Sequence, residues 1–168
     1  MVITYGHAAS PVGRLLIAST PRGLCAVEIG GPKSGLERRL KARFPRAELR
    51  EDAKMAAAAG RALSTLIKAK VAAASPALDA SGSVFQCLVW DALRKIPAGS
   101  TKTYAQVARD IGRPGGARAV ARACAANPVA IAVPCHRVVG VGGELRGYRW
   151  GIARKRRLLA LEGAGRAA

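Results

Sequence analysis

Two turn signals divide the first thirty residues of this chain into three short runs of strand-forming residues. The runs cover residues 2–5, 15–19 and 25–29, and the turns between them lie at residues 10–13 and 21–23. Runs with this spacing predict a small antiparallel meander. The N-terminal part of the chain is therefore expected to be built around a sheet.

Residues 36–44 and 55–70 have the spacing of amphipathic helices. In the first, apolar side chains recur every four residues until Pro45 ends the pattern. In the second they form one stripe, made of Ala59, Leu63, Leu66 and Ile67. Residues 73–83 lose this periodicity and contain proline, glycine and serine, which predicts a linker or a crossing segment. We therefore expect two domains, residues 1–80 and residues 81–168.

Three further helices are predicted in the second half, at residues 85–93, 104–111 and 117–126. The first has four apolar residues that are expected to face inward: Phe85, Leu88, Val89 and Leu93. The expected fold class is therefore α/β, with a small N-terminal antiparallel-sheet domain and a mostly helical C-terminal domain.

The second and third of these helices are separated by a break of glycine and proline at residues 112–116. Two short helices around a tight turn are typical of a helix-turn-helix, whose second helix enters a DNA groove. Arg118 and Arg122 lie one turn apart on that helix, and its alanines permit close approach to a duplex. It has no glutamine or asparagine suited to reading adenine, so we expect little sequence-specific readout. An ordinary helical hairpin would show the same pattern.

Positive charge is concentrated in the same half of the chain. The whole sequence carries 28 Lys and Arg against 10 Asp and Glu, a formal net charge of +18. Residues 94–157 account for 14 basic and two acidic residues, a net of +12, and residues 1–93 for a net of +6. This distribution favours a polyanionic partner such as nucleic acid, although an arginine-rich surface that serves only solubility would also fit.

The sequence argues against a membrane or secretory protein. No window of about 18 residues is both apolar and uncharged, which excludes a membrane-spanning helix. The first ten residues have neither a basic start nor an apolar run, so they are not a signal peptide. A cytoplasmic location with reduced thiols is therefore expected.

One of the four cysteines lies in a setting suited to nucleophilic catalysis. No CxxC spacing occurs, and the two histidines complete no zinc pattern, so no metal site is expected. Cys25, Cys87 and Cys124 are expected to be buried as small apolar side chains. Cys135 instead ends an apolar run and is followed directly by His136 and a cationic arginine, groups that lower the pKa of a thiol from about 8.5. A carboxylate that orients the histidine would complete a Cys–His–acid relay, whereas adjacent side chains that point apart would make the pair a coincidence.

Residues 134–138, Pro-Cys-His-Arg-Val, resemble the active-site signature of the O6-alkylguanine-DNA alkyltransferases, also called methylated-DNA–protein-cysteine methyltransferases. Other short matches to that family follow in its order and spacing: Phe85-Gln86, Val89-Trp90, residues 96–99, Thr103-Tyr104, residues 117–120, Asn127-Pro128, Gly147-Tyr148 and residues 158–163. The resemblance covers about residues 80–163. Residues 147–151 look most like the C-terminal half of the bacterial adaptive-response members.

The resemblance implies a fold, a reaction and a partner. The fold would combine a ribonuclease H-like N-terminal domain with a winged helix-turn-helix C-terminal domain. The reaction would be irreversible transfer of one alkyl group from O6-alkylguanine, and from O4-methylthymine, to Cys135, without a cofactor. The protein would act as a monomer on double-stranded DNA, entering through the minor groove and flipping the damaged base out of the stack.

The resemblance also assigns catalytic roles. Cys135 would be the nucleophile, and His136 would take its proton through a water molecule. Glu162 would hold the histidine in the required tautomer, and Asn127 would brace the active-site turn. From the sequence alone, Glu162 could equally be a surface charge at a helix end, and Asn127 could be only a turn residue.

Further roles concern DNA and the substrate pocket. Arg118 would fill the place of the flipped base, Arg113 would contact DNA, and Tyr104 would crowd the target phosphate, unless that tyrosine belongs to the core. In the substrate pocket, Tyr148 would form the wall, and the main chain at Cys135 and Val138 would read the guanine edge. Lys155 would steady the leaving base, although the basic run 154–157 fits a solvated helix face equally well.

Two residues depart from the family pattern and leave room for other functions. Arg149 stands where some members have a small hydroxyl residue, and Trp150 where some have glycine, which predicts a tight pocket that prefers methyl to larger adducts. A non-catalytic sensor of alkylation damage, a helix-turn-helix regulator and a Cys–His hydrolase are the alternatives. The presence of Cys135 argues against the sensor. No regulatory domain is evident, and a hydrolase would have no use for the basic helix-turn-helix.

Overall fold

A computed structural model of the protein describes residues 1–68 and 75–164. Strands β1 (Val2–Ala8), β2 (Leu15–Thr20) and β3 (Gly23–Ile29) form the expected antiparallel meander. A strand that the sequence did not indicate, β4 (Glu48–Glu51), pairs with β1 in parallel, so the sheet is mixed, in the order β3-β2-β1-β4. This strand is polar and lies at the sheet edge, where main-chain pairing requires no apolar alternation.

Both faces of this sheet are covered, which explains the unbroken apolar run in β2. Helix α1 (Lys33–Arg43) packs on one face through Leu36 and Leu40. Helix α2 (Ala53–Lys68) packs on the other face, where a Cβ added at Gly60 would lie 2.7 Å from Ala8, so that only glycine allows this approach. Residues 69–70 of the predicted helix and 73–74 of the predicted linker lie outside the described residues.

The second half is mostly helical, as predicted. It contains α3 (Val84–Arg94), α4 (Tyr104–Asp110), α5 (Ala117–Ala125) and α6 (Ile152–Glu162). A short parallel pair joins β5 (Lys102–Thr103) to β6 (Val138–Val139). Helices α3 and α4 both begin with capping boxes, Ser83 with Gln86 and Thr103 with Gln106. Within the described part of the chain, no helix has the length and apolar character needed to cross a bilayer.

The inward face predicted for α3 is partly wrong. Leu88 is 43% exposed, whereas Trp90 is buried and its indole N–H donates to the carbonyl of Ala123 at 2.9 Å. Val89, Trp90 and Leu93 face the core, Phe85 is partly buried against it, and Leu88 faces outward.

The outer edge of β3 joins the two halves of the chain. Leu24 pairs with Leu78 in the segment expected to be a linker, and Val27 pairs with Val129 in the segment that leads to Cys135. One apolar cluster accordingly includes buried residues of β2, β3, α2, α3, α5 and α6. The described part of the predicted linker is therefore attached to the sheet, and the boundary near residue 80 stays a prediction. This edge of β3 holds the segment that carries Cys135.

Candidate active site

The segment between α5 and Cys135 is fixed by the side chain of Asn127, which is completely buried. Its Nδ2 donates to the carbonyl of Val133 at 2.9 Å and to Cys135 Sγ at 3.2 Å, and its Oδ1 accepts from the N–H of Val129 at 2.9 Å. One amide therefore satisfies two main-chain groups and also contacts the thiol.

Two tight turns shape the part of this segment that leads to Cys135. The N–H of Ala132 donates to the carbonyl of Ala130 at 2.7 Å around Ile131, whose φ is 70°. The N–H of Cys135 donates to the carbonyl of Val133 at 2.8 Å around Pro134. A β-branched residue with positive φ is strained, so the surrounding contacts must hold Ile131 in this conformation.

The thiol of Cys135 is buried, and burial changes its acidity. Burial raises the pKa of Cys135 to about 11, opposed by the hydrogen bond from Asn127 and by the positive charges of Lys155 and Arg149. At neutral pH the group is therefore a thiol, and a nucleophilic role requires a base to remove its proton.

The adjacent His136 is held by a buried carboxylate from α6. Its Nε2 lies 2.8 Å from Oε1 of Glu162, and both side chains are fully buried. A carboxylate can only accept, so Nε2 carries the hydrogen and Nδ1 keeps its lone pair. Nδ1 is buried and has no hydrogen-bond partner among the described residues. Burial lowers the pKa of His136, against the opposing effect of Glu162, so the ring is neutral and can accept a proton.

Arg137 completes this group. From the sequence it was expected, with His136, to lower the pKa of Cys135, but the structure places its guanidinium on Glu162 and the pKa of Cys135 is raised. Its Nη2 lies 2.8 Å from Oε1 of Glu162, and its Nη1 donates to the carbonyl of Ile96. Burial alone would raise the pKa of Glu162, but hydrogen bonds from His136 and Arg137 hold it below its usual value. The carboxylate is therefore ionised and keeps the histidine oriented. The one available signal was the place of Arg137 inside the five-residue signature.

A cavity of about 250 Å³ opens at Cys135. Its lining comes from α4, α5, the Cys135 turn and the segment 147–149: Tyr104, Ala121, Cys124, Ala125, Cys135, Gly147, Tyr148 and Arg149. Small side chains on α5 form one wall, so the second helix of the expected helix-turn-helix borders the thiol of Cys135. The sequence did not predict this wall. The alanines of this helix were interpreted as facing DNA, and Cys124 was interpreted as a buried core residue.

Both tyrosines of the lining are neutral phenols. The hydroxyl of Tyr104 donates to the carbonyl of Arg146 at 3.1 Å, and burial raises the pKa of Tyr104 to about 12. The hydroxyl of Tyr148 is buried without a partner in the described part of the chain, and burial raises its pKa well above the usual value. The ring of Tyr148 stands edge-on to His136, with the centroids 6.5 Å apart.

Three residues expected at the pocket lie outside the lining. Lys155 is completely buried, which excludes the solvated helix face, and its Nζ donates to the carbonyls of Val138 at 2.6 Å and Arg146 at 2.9 Å. Val138 is also fully buried, and its carbonyl accepts this bond. Trp150 packs behind Tyr148, with the ring centroids 5.2 Å apart. Lys155 and Trp150 therefore support the wall of the cavity from behind.

Arg149 does line the cavity, but a residue of the N-terminal sheet holds its guanidinium. Glu28 on β3 accepts from Arg149 Nη2 at 3.0 Å and from Trp150 Nε1 at 2.9 Å. Glu28 is 4% exposed and was absent from the predicted site. The signal that could have identified it is a single acidic residue inside an otherwise apolar strand.

The basic surface lies next to the cavity. Arg118 and Arg122 are exposed on α5, and Arg113 is exposed in the turn before it. Gly112 and Gly115 in that turn have φ of 69° and 86°, the left-handed conformation that glycine adopts without strain. Arginines on the outer side of α5 and small residues on its cavity side thus place positive charge beside the opening.

Known proteins are similar to this chain over most of its length. A profile of the DNA-binding domain of 6-O-methylguanine DNA methyltransferase matches residues 84–164. A methylated-DNA–protein-cysteine methyltransferase of Methanosarcina acetivorans is 38% identical over 160 residues, which cover 95% of this chain and 98% of that protein. The bifunctional transcriptional activator/DNA repair enzyme Ada of Escherichia coli is 41% identical over 162 residues, 96% of this chain. The chain spans only 46% of the length of that relative.

Solved structures agree with these sequence matches. The crystal structure of Mycobacterium tuberculosis OGT in complex with DNA superimposes with a TM-score of 0.77 at 36% identity, covering 97% of this chain and 93% of that one. The O6-methylguanine-DNA methyltransferase of Pyrococcus kodakaraensis KOD1 has a TM-score of 0.73 at 22% identity, covering 96% and 99%, and supports the fold alone.

Proposed function

The chain belongs to the family of methylated-DNA–protein-cysteine methyltransferases, and we propose that it repairs DNA by moving the methyl group of O6-methylguanine to Cys135, once per molecule. The observation that carries this proposal is the arrangement at the cavity. A thiol in its lining is followed by a neutral histidine, whose tautomer is set by a buried carboxylate. The acceptor is part of the protein, so the reaction requires no cofactor.

The proposed step is an in-line displacement at carbon. Cys135 Sγ attacks the methyl group, the new S–C bond forms as the C–O6 bond breaks, and the electron pair of that bond passes to O6. The thiol proton goes to Nδ1 of His136 through a water molecule, and guanine regains one proton at N1. The product is a thioether, and its thiolate is a poor leaving group. The transfer is therefore irreversible, and each molecule completes one turnover.

Each neighbour of the thiol has a defined part in this step. Asn127 holds the main chain of the segment and places a hydrogen-bond donor 3.2 Å from Sγ, which stabilises the developing thiolate. Glu162 fixes the orientation of His136 and stabilises the imidazolium that forms. Arg137 keeps Glu162 ionised and in place. Lys155 supplies positive charge from behind the wall and lowers the pKa of Cys135.

We propose that double-stranded DNA binds along α4 and α5. A methylated base within the stack cannot offer its exocyclic oxygen to Cys135, so it has to flip out, at a cost of a few kcal/mol. Entry through the minor groove suits the small residues of α5, with Arg118 filling the vacated place and Arg113 contacting the backbone. The flipped base would lie between α5 and Tyr148, with Tyr104 at the target phosphate and the main chain of Cys135 at its edge.

The finer description of the fold and the substrate range belongs to the same proposal. The N-terminal sheet would be a ribonuclease H-like domain and the C-terminal half a winged helix-turn-helix. The protein would act as a monomer and would also accept O4-methylthymine. Arg149 at the cavity and Trp150 behind Tyr148 would keep the pocket small, which favours methyl adducts over benzyl adducts.

Intact-mass measurement after incubation with a duplex that carries one O6-methylguanine tests this function. The expected result is a gain of about 14 Da, the mass of one CH₂, with a Cys135→Ser variant unchanged. An unmodified duplex is the matched control. Binding of the methylated duplex without any gain in mass would instead identify a non-catalytic sensor of damage.

A further inference from the structure

Glu28 is a buried carboxylate on the N-terminal sheet, and both of its oxygens are engaged. It is 4% exposed, with Oε1 3.0 Å from Nη2 of Arg149 and Oε2 2.9 Å from Nε1 of Trp150. Nε of Arg39, a half-exposed side chain, lies 3.5 Å from Oε2. Glu28 is the one charged residue of β3, whose other residues are apolar or glycine.

Both main partners of Glu28 belong to the segment that forms one wall of the cavity. Gly147, Tyr148 and Arg149 line it, and Trp150 supports the ring of Tyr148 from behind in an edge-on contact at 64°. Gly147 and Gly151 flank this segment with φ of 38° and 99°, conformations that glycine adopts without strain. Glycines at both ends allow the wall to move unless its side chains are held.

The same strand holds the segment that carries the thiol. The N–H of Val27 donates to the carbonyl of Pro128 at 2.9 Å, and the N–H of Ala130 donates to the carbonyl of Val27 at 3.1 Å. Arg149 adds a link between the two segments, because its Nη1 donates to the carbonyl of Asn127 at 3.3 Å. Strand β3 thus fixes the distance between the thiol and the opposite wall.

We propose that Glu28 is a positioning residue that sets the width of the cavity and so restricts the adducts that reach Cys135. This gives the N-terminal sheet a part in substrate selection, and it rests on the alkyl transfer proposed above. Removal of the carboxylate leaves a buried indole N–H and a guanidinium without their acceptor. Such groups move towards water or another acceptor, and Tyr148 would move with them.

The first test compares transfer of a methyl and of a benzyl group from O6 of guanine in otherwise identical duplexes. In Glu28→Ala the ratio of benzyl to methyl rate constants is expected to rise at least tenfold. In Glu28→Gln, whose amide oxygen can still accept from Trp150, the rise should stay below threefold. Glu37→Gln is the matched control. Glu37 lies on α1, and like Glu28 its carboxylate pairs with a largely buried side chain, that of His7, at 2.9 Å.

The second test does not depend on alkyl transfer. Free protein is treated with iodoacetamide or with a bulky maleimide, and peptide mass spectrometry gives the labelling rate of Cys135 separately from the partly exposed Cys87. The ratio of bulky to small labelling at Cys135 should rise in Glu28→Ala and not in Glu37→Gln. If the wild type transfers no alkyl group, the proposed function fails, and this ratio still decides the role of Glu28.

The overturning result is a folded Glu28→Ala protein in which both ratios stay within twofold of the wild type. Glu28 would then only stabilise the fold. If Glu28→Ala does not fold, Trp150→Phe removes one N–H donor to the carboxylate and keeps an aromatic ring behind Tyr148. It is expected to raise both ratios at least threefold, and unchanged ratios would equally overturn the proposal.

Discussion

Replacing His136 with glutamine is expected to slow methyl transfer by roughly two to three orders of magnitude at pH 7.5, the range typical of a lost general base. The amide can still donate to Glu162, so the carboxylate keeps a partner, but it cannot take a proton. With the pKa of Cys135 at about 11, only about one thiol in 3,000 is ionised at pH 7.5. Without its base, the protein has to react through that small thiolate fraction.

The dependence on pH separates the two routes. Burial lowers the pKa of His136, so the wild-type base is neutral from pH 7 upwards and the transfer rate should change little between pH 7 and 9. In His136→Gln the rate should rise about tenfold per pH unit over the same range, because it follows the thiolate fraction.

The assay is single-turnover transfer from a saturating O6-methylguanine duplex, quenched at timed intervals, with thermal melts of both proteins at each pH. Two results would refute this reasoning. One is a folded variant that reacts within threefold of the wild type at pH 7.5. The other is a wild-type rate that also rises tenfold per pH unit.

Four further outcomes follow from the structure. Asn127→Ala leaves the buried N–H of Val129 unpaired and removes one of the two hydrogen bonds to the carbonyl of Val133. It should lower the free energy of unfolding by about 2–4 kcal/mol in urea titrations, and an equally stable variant would show that these bonds contribute little. Gly99→Ala should cost about 1–3 kcal/mol in the same titrations, because φ is 85° and the added Cβ would lie 3.0 Å from the carbonyl of Glu162; a stabilised variant would contradict this. The pKa of His136 is lowered on folding, so the free energy of unfolding should fall as pH drops below about 6.5. The pKa of Glu162 is also lowered, so a second loss of stability should begin below about 4.5. In melts recorded against pH, Glu162→Gln should remove that second loss of stability. Arg122→Ala should weaken DNA binding equally for all sequences and reduce the slope of log affinity against log salt by about 1 in fluorescence anisotropy titrations, and an unchanged slope would place DNA elsewhere.

Local patterns in the sequence were sufficient for most of the fold. Runs of strand-forming residues between turn signals located the three antiparallel strands, and helical spacing located α1 to α5. Helix α6 was not among the predicted elements. The comparisons confirm the α/β class and the family resemblance drawn from the signature around Cys135. Strand β4 could not be found in this way, because an edge strand pairs through its main chain and its side chains remain polar.

Contacts between distant residues could not be read from one sequence. Glu162 meets Arg137 across 25 positions, and Glu28 meets Trp150 across 122. The basic run that contains Lys155 fits a solvated helix equally well, and only the packing of α6 shows that this lysine is buried. Such pairings depend on how the elements pack, and no local periodicity encodes that.

The location of the methyl group tests the central claim most directly. A duplex with a deuterated O6-methylguanine is incubated with the protein, which is then digested, and the peptides are sequenced by tandem mass spectrometry. We predict one labelled methyl per protein, on Cys135 alone, with the guanine restored in the DNA. A label on Cys124, which shares the cavity lining, or repaired DNA without a labelled protein, would contradict direct transfer to Cys135.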